Sequence, residues 1–141
     1  MLRLTILLVG IILAIPALGI IPPDTNPPLL VLLNPSNNGS SVHSDSPVEL
    51  TFDESVSLGN GHILIYSESG LFQTITLPSP LVHVNGSVVT IEHATFPIGT
   101  SIHIEIEPTV ISDFFGNYWS GFSQVNDWTF IGRCRCCGSS S

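Results

Sequence analysis

"SIHIEIE", residues 101–107, alternates without a break. In an extended chain, Ile102, Ile104 and Ile106 fall on one side and His103, Glu105 and Glu107 on the other. That is the pattern of a strand with one face in a core and one in water. The neighbouring segments repeat it. "VELTF" (48–52) turns Val48, Leu50 and Phe52 inward and Glu49 and Thr51 outward. "DWTFIG" (127–132) puts Trp128 and Phe130 on one face.

Turn residues separate the remaining strands. "LLVLL" (29–33) is the first and is ended by "NPSNNGSS". "HILIYS" (62–67) follows Gly59-Asn60-Gly61 and pairs with "FQTITL" (72–77) across "SESG". "LVHV" (81–84) and "VVTIE" (88–92) flank Asn85-Gly86, a dipeptide that supplies the positive φ of a tight hairpin turn. No stretch carries helical periodicity. The expectation is an all-β, immunoglobulin-like β-sandwich of about seven to eight antiparallel strands. The Cys…Trp…Cys spacing of antibody domains is missing, so this is a different branch of that architecture.

The ends differ from the middle. Arg3 precedes a nearly unbroken apolar run, and Ala17-Leu18-Gly19 offers small residues at the −3 and −1 positions of a cleavage site. Residues 1–19 thus read as a secretory signal peptide. The alternative is an uncleaved anchor, because residues 4–21 reach the short edge of a membrane span. No second long apolar run follows, so no membrane span is expected in the mature chain. Residues 20–28, "IIPPDTNPP", form a Pro-rich extended lead-in. Residues 29–132 form the sandwich. Residues 133–141, "RCRCCGSSS", are a Cys/Ser tail expected to be disordered.

Charge excludes whole classes of partner. The chain has no Lys, and all 11 carboxylates lie between Asp24 and Asp127. After cleavage, two arginines against 11 carboxylates leave a net charge of −9. Nucleic acid, which is bound by displacing phosphate counterions with Lys and Arg, is excluded as a partner. Anionic membranes are repelled for the same reason, whereas divalent cations or a basic partner are attracted.

In order, the motifs resemble the bacterial immunoglobulin-like domain of the SbsA type, found in a surface-layer protein. The resemblance rests on the Pro-Pro lead-in and first strand running into Asn34-Pro35-Ser36-Asn37-Asn38-Gly39. It continues through Leu50-Thr51-Phe52-Asp53-Glu54-Ser55-Val56, Gly61-His62-Ile63-Leu64-Ile65-Tyr66 and Val89-Thr90-Ile91. Pro97-Ile98-Gly99-Thr100-Ser101-Ile102 follows, with Ile102 where the family often has Tyr. It ends with Asp113-Phe114-Phe115-Gly116-Asn117-Tyr118, Gly121 and Trp128-Thr129-Phe130. It covers about residues 27–131. The resemblance implies a spacer or assembly module of surface-layer, adhesin-like or secreted proteins, with no shared catalytic residues.

Several site candidates stand beside that reading. Asp53, Glu54, Asp113, Asn117 and Asp127 are candidate oxygen ligands for Ca²⁺ at one end of the sandwich. No D-x-D-x-D-G loop supports them, and capping of turns is the simpler role. No other cofactor or metal is implied. Tyr118 and Trp119 are candidate contact aromatics for a protein or cell-surface glycan partner. Asn38 and Asn85 head N-glycosylation sequons in turns. Cys134, Cys136 and Cys137, an odd set in the last eight residues, are candidates for intermolecular disulfides and covalent self-association. The five histidines lie on different segments without zinc spacing. There is no G-x-S-x-G elbow and no phosphate-binding loop, so no catalytic residue is assigned. The expected function is a secreted or cell-surface, non-enzymatic structural or adhesion module. The alternatives are an accessory domain of a larger exported enzyme, of which this chain is a fragment, and a Ca²⁺-dependent surface assembly module.

Overall fold

The computed structural model describes residues 21–134. Residues 1–19, expected to be a signal peptide, and most of the Cys/Ser tail, including Cys136 and Cys137, lie outside the described residues. Eleven strands follow in chain order among the described residues. They are β1 (Leu30–Asn34), β2 (Gly39–His43), β3 (Val48–Phe52), β4 (Ser57–Leu58), β5 (Gly61–Ser67) and β6 (Gly70–Leu77). Then come β7 (Val82–Asn85), β8 (Val88–Ile91), β9 (Ser101–Ile106), β10 (Ile111–Ser112) and β11 (Thr129–Arg133).

Two sheets make the sandwich. One has the order β1-β3-β8-β7, the other β2-β11-β9-β5-β6, and β10 and β4 form a small third pair. The structure bears out an all-β, Ig-like sandwich with two corrections. The strands among the described residues number eleven, not seven to eight, because β2 and the two-residue β4 and β10 have no alternating apolar pattern to reveal them. β2 pairs with β11 in parallel, so the sheets are not wholly antiparallel. β2 lies in the segment read as a loop. It peels off β1 to join the opposite sheet, and several hydrogen bonds hold the crossing. The Trp128 indole N–H donates to the Pro35 carbonyl at 2.8 Å. The Asn37 amide donates to the Asn126 carbonyl at 2.9 Å, and the Asn37 side-chain oxygen accepts from Thr129 N–H at 2.8 Å.

Packing follows the alternation. Val48, Leu50 and Phe52 of β3 are buried, as are Ile102, Ile104 and Ile106 of β9, and Trp128 and Phe130. With Ile63, Ile65, Ile75, Val89, Ile91 and Phe96 they form one core between the sheets. Removing this apolar area from water is the main stabilising term of the fold. The expected hairpin between β7 and β8 is present, but Asn85 still pairs with Val88, so the chain turns one residue later than expected, at Gly86-Ser87, with Gly86 at φ +62°.

The registers also fix two poles. Leu30 pairs with Phe52, so the residues that lead into β1 sit beside those that follow β3. β9 runs antiparallel to β11, so the segment after Ile106 and Arg133 lie at opposite ends of that sheet, and the meeting of Asp113 with Asp24 and Glu54 puts the segment after Ile106 at the same pole as the start of β1. The chain therefore enters at one end of the sandwich and leaves at the opposite end.

Candidate functional site

The entry pole is shaped by a loop that begins where β10 ends. Asp113 is buried, and its carboxylate accepts from Asn117 N–H at 2.8 Å and from the Asn117 amide at 2.7 Å. Asp113 N–H donates to the Asn117 carbonyl at 3.1 Å, which closes the loop from the other side. Gly116, at φ +86°, takes the backbone conformation that lets so short a loop close. The Asn117 amide also donates to the Asp24 carbonyl at 2.8 Å and fastens the lead-in to this end.

Three carboxylates meet here. Asp24, Glu54 and Asp113 each offer an oxygen, and the three lie within 4.8 Å of one another. Their environments differ. Partial burial pushes the Glu54 carboxyl up, and repulsion from Asp113, Asp24 and Asp53 pushes it further. Burial also works against the Asp113 charge. Hydrogen bonds from the Asn117 side chain and from the backbone N–H groups of Asn117, Phe115 and Gly116 outweigh it, and hold that carboxyl below its usual range. An ionised Asp113 beside a Glu54 that resists ionisation is a pole with excess negative charge. Oxygen ligands at this spacing suit a hard divalent cation, which needs six to eight of them in the case of Ca²⁺.

The five calcium candidates distribute unevenly. Glu54 and Asp113 belong to the group, and Asn117 adjoins it through Asp113. Asp53 borders it while its carboxylate accepts from Leu29 N–H at 2.8 Å. Asp127 does not join. Its carboxylate accepts from Ser123 and Gln124 N–H at 3.0 and 2.9 Å and caps its own turn. Asp24 was not among the candidates. The pairing of β1 with β3, which brings the residues before 29 next to those after 52, was the signal that could have found it.

The aromatics also sort. Tyr118 is 52 % exposed, whereas Trp119 is 8 % exposed and cannot serve as a contact face. Trp119 packs edge-on against Phe52 and Phe122, with centroids 5.3 and 4.8 Å away, and closes the end of the core. Phe114 and Phe115, not singled out as contact residues in the sequence, are 89 % and 55 % exposed.

The other candidates lie elsewhere. Asn38 and Asn85 are both exposed, Asn38 in a turn at φ +64° and Asn85 at the end of β7. Cys134 follows Arg133 at the exit pole. His62 meets Glu107 at 3.0 Å, and its hydrogen bonds hold the Glu107 carboxyl below the usual range. His83 and His103 face Glu92 and Glu105, while His93 lies against the carbonyls of Ser46 and Ala94. Among the described residues, no histidine belongs to a group of three metal-ligating side chains.

Comparison with known proteins accords with this geometry. A family model described as a bacterial Ig-like domain matches residues 24–131. The chain belongs to that family. The match begins at Asp24, so the lead-in carrying the first carboxylate is part of the Ig-like domain. The domain is also similar to CopC from Methylosinus trichosporium OB3b, as seen in its crystal structure. The two share 17 % identity at a TM-score of 0.54, over 79 % of this chain and 99 % of CopC. At that identity the likeness is one of fold. No curated protein matches the Ig-like domain's sequence.

Proposed function

We propose that this chain is an exported, surface-exposed, non-enzymatic Ig-like module of the SbsA type, serving structure or adhesion. One observation carries the reading. Three aromatic rings stand in solvent at the pole where the chain enters, and the chain leaves at the opposite pole. Exposed apolar side chains grouped at one end mark a contact surface. Entry and exit at opposite ends suit a module set in line between other parts. The sequon residues Asn38 and Asn85 are free to carry glycans in an exported chain.

Expression of the full chain with a C-terminal epitope in a Gram-negative host tests this reading. It should appear in the periplasm or medium with Ile20 as its first residue. Recovery only from the cytosol, unprocessed, would overturn it.

A second reading, Ca²⁺-dependent assembly, is favoured by the meeting of Asp24, Glu54 and Asp113. A bound cation would relieve the repulsion that Glu54 experiences. Calorimetric melting with 5 mM calcium and then EDTA, on the order of the affinities of extracellular sites, decides it. A midpoint that calcium raises and EDTA restores supports this reading, and an unchanged midpoint sinks it.

A further inference from the structure

Phe114 and Phe115 sit at the tip of a loop closed by its own hydrogen bonds. The rings pack edge-to-face against each other, with centroids 5.5 Å apart and planes at 86°. Asp113, Gly116 and Asn117 hold the loop from below, so the two rings are displayed on a fixed support rather than folded into the core. Tyr118 extends the aromatic surface.

The charge at this pole says what fits it. Asp24, Glu54 and Asp113 lie at the same pole. The chain contains no Lys, and Arg133, the one arginine among the described residues, is at the opposite pole. The faces of the rings are themselves electron-rich and attract cations. A neutral sugar would stack on the rings but gain nothing from the carboxylates. An anionic lipid surface would be repelled. A Lys or Arg side chain uses both features, because its apolar stem covers a ring while its charged head is drawn by the negative pole.

We propose that the entry pole, where Phe114, Phe115 and Tyr118 share one end of the sandwich with the half-buried Asp24 and Glu54, is a docking surface for a basic segment of a partner protein, anchored by Arg or Lys side chains. This names the partner class for the contact surface of the proposed surface module and rests on that reading.

The test uses the full chain and a fluorescein-labelled dodecapeptide of alternating Arg and Leu, followed by fluorescence anisotropy. Saturable binding is expected, weakened about tenfold or more between 0.05 and 0.5 M NaCl. F114S/F115S should keep the melting temperature and lose about tenfold in affinity. D24N/E54Q should lose a similar factor, and the same peptide with Gln in place of Arg should bind at least tenfold more weakly. No binding, unchanged binding by F114S/F115S, or equal binding of the Gln peptide each overturns the inference. The fractionation experiment is read separately. An exported chain that ignores the peptide defeats only the partner assignment, and a cytosolic chain that binds it defeats only the surface reading.

Discussion

At Glu54 the fold keeps a carboxylate among others of its kind. Its folded pKa is raised, first by burial and then by Asp113, Asp24 and Asp53. A raised carboxyl binds its proton more tightly in the folded state than in the unfolded one. Its contribution to stability is therefore complete below the unfolded value of 4.5, and is lost as pH rises through the folded value. Asp113 and Glu107 act in the opposite sense. Their carboxyls are lowered by hydrogen bonds, so their contributions are present above 3.8 and 4.5 and are lost as pH falls through the folded values. The melting temperature should thus rise as pH is lowered from 7 toward 4.5 and fall again in stronger acid. Glu54→Gln should raise the midpoint at pH 7 and flatten the limb between pH 7 and 4.5, with the acid limb kept. Melts followed by circular dichroism across that range check this, and a lower midpoint for the variant at pH 7 would refute it.

Among the elements, β9 shows how one glycine sets a contact. At its last residue, Phe122 N–H donates to the Ile106 carbonyl and Ile106 N–H to the Phe122 carbonyl, both at 2.9 Å. This close approach needs Gly121, which lies at φ +73° with its missing Cβ directed at the Ile106 carbonyl oxygen. Gly116 has a similar backbone, φ +86°, but open space around it. Gly116→Ala should cost about 1–2 kcal/mol for the left-handed conformation alone. Gly121→Ala should cost about 3 kcal/mol or more, since main chain must also move. Urea unfolding of both variants measures the difference, and equal losses would show that the overlap at Gly121 is relieved without cost.

The elements also show what the sequence could and could not disclose. β3 coincides with "VELTF", and the burial of β9 follows its alternation residue by residue, because a period of two against a core leaves a direct trace in composition. β2, "GSSVH", leaves none. It is held to β11 by main-chain pairing and buries no apolar stripe. Tyr118 and Trp119 illustrate another limit. Ser112 and Tyr118 form a bridge, so the chain there is extended and successive side chains point opposite ways. One ring had to face in and the other out, but only the placement of Phe52 and Phe122 decided which. Asp24 was hidden because its position depends on the β1–β3 register and not on its own neighbours.

Across the whole molecule the charge is one-sided. The 11 carboxylates face no Lys, and His62, His83 and His103 pair with glutamates. At pH 7 salt has little attraction to screen and a formal net charge of −8 to relieve. Raising NaCl from 0.01 to 0.1 M shortens the screening length from about 30 to about 10 Å, less than the breadth of a domain of this size. The folded state concentrates its charge more than the unfolded chain, so screening should favour it, raising the melting temperature by a few degrees, on the order of 0.5–1 kcal/mol. The pH dependence of that increment separates screening from a general effect of salt on apolar burial. Near pH 4.5, close to the sequence's isoelectric point of about 4.7, the net charge is small, so the salt increment should shrink with it. Scanning calorimetry at both pH values and both salt concentrations gives the comparison. A midpoint that does not rise with salt at pH 7, or that rises equally at both pH values, would show that self-repulsion is not what limits the stability of this domain.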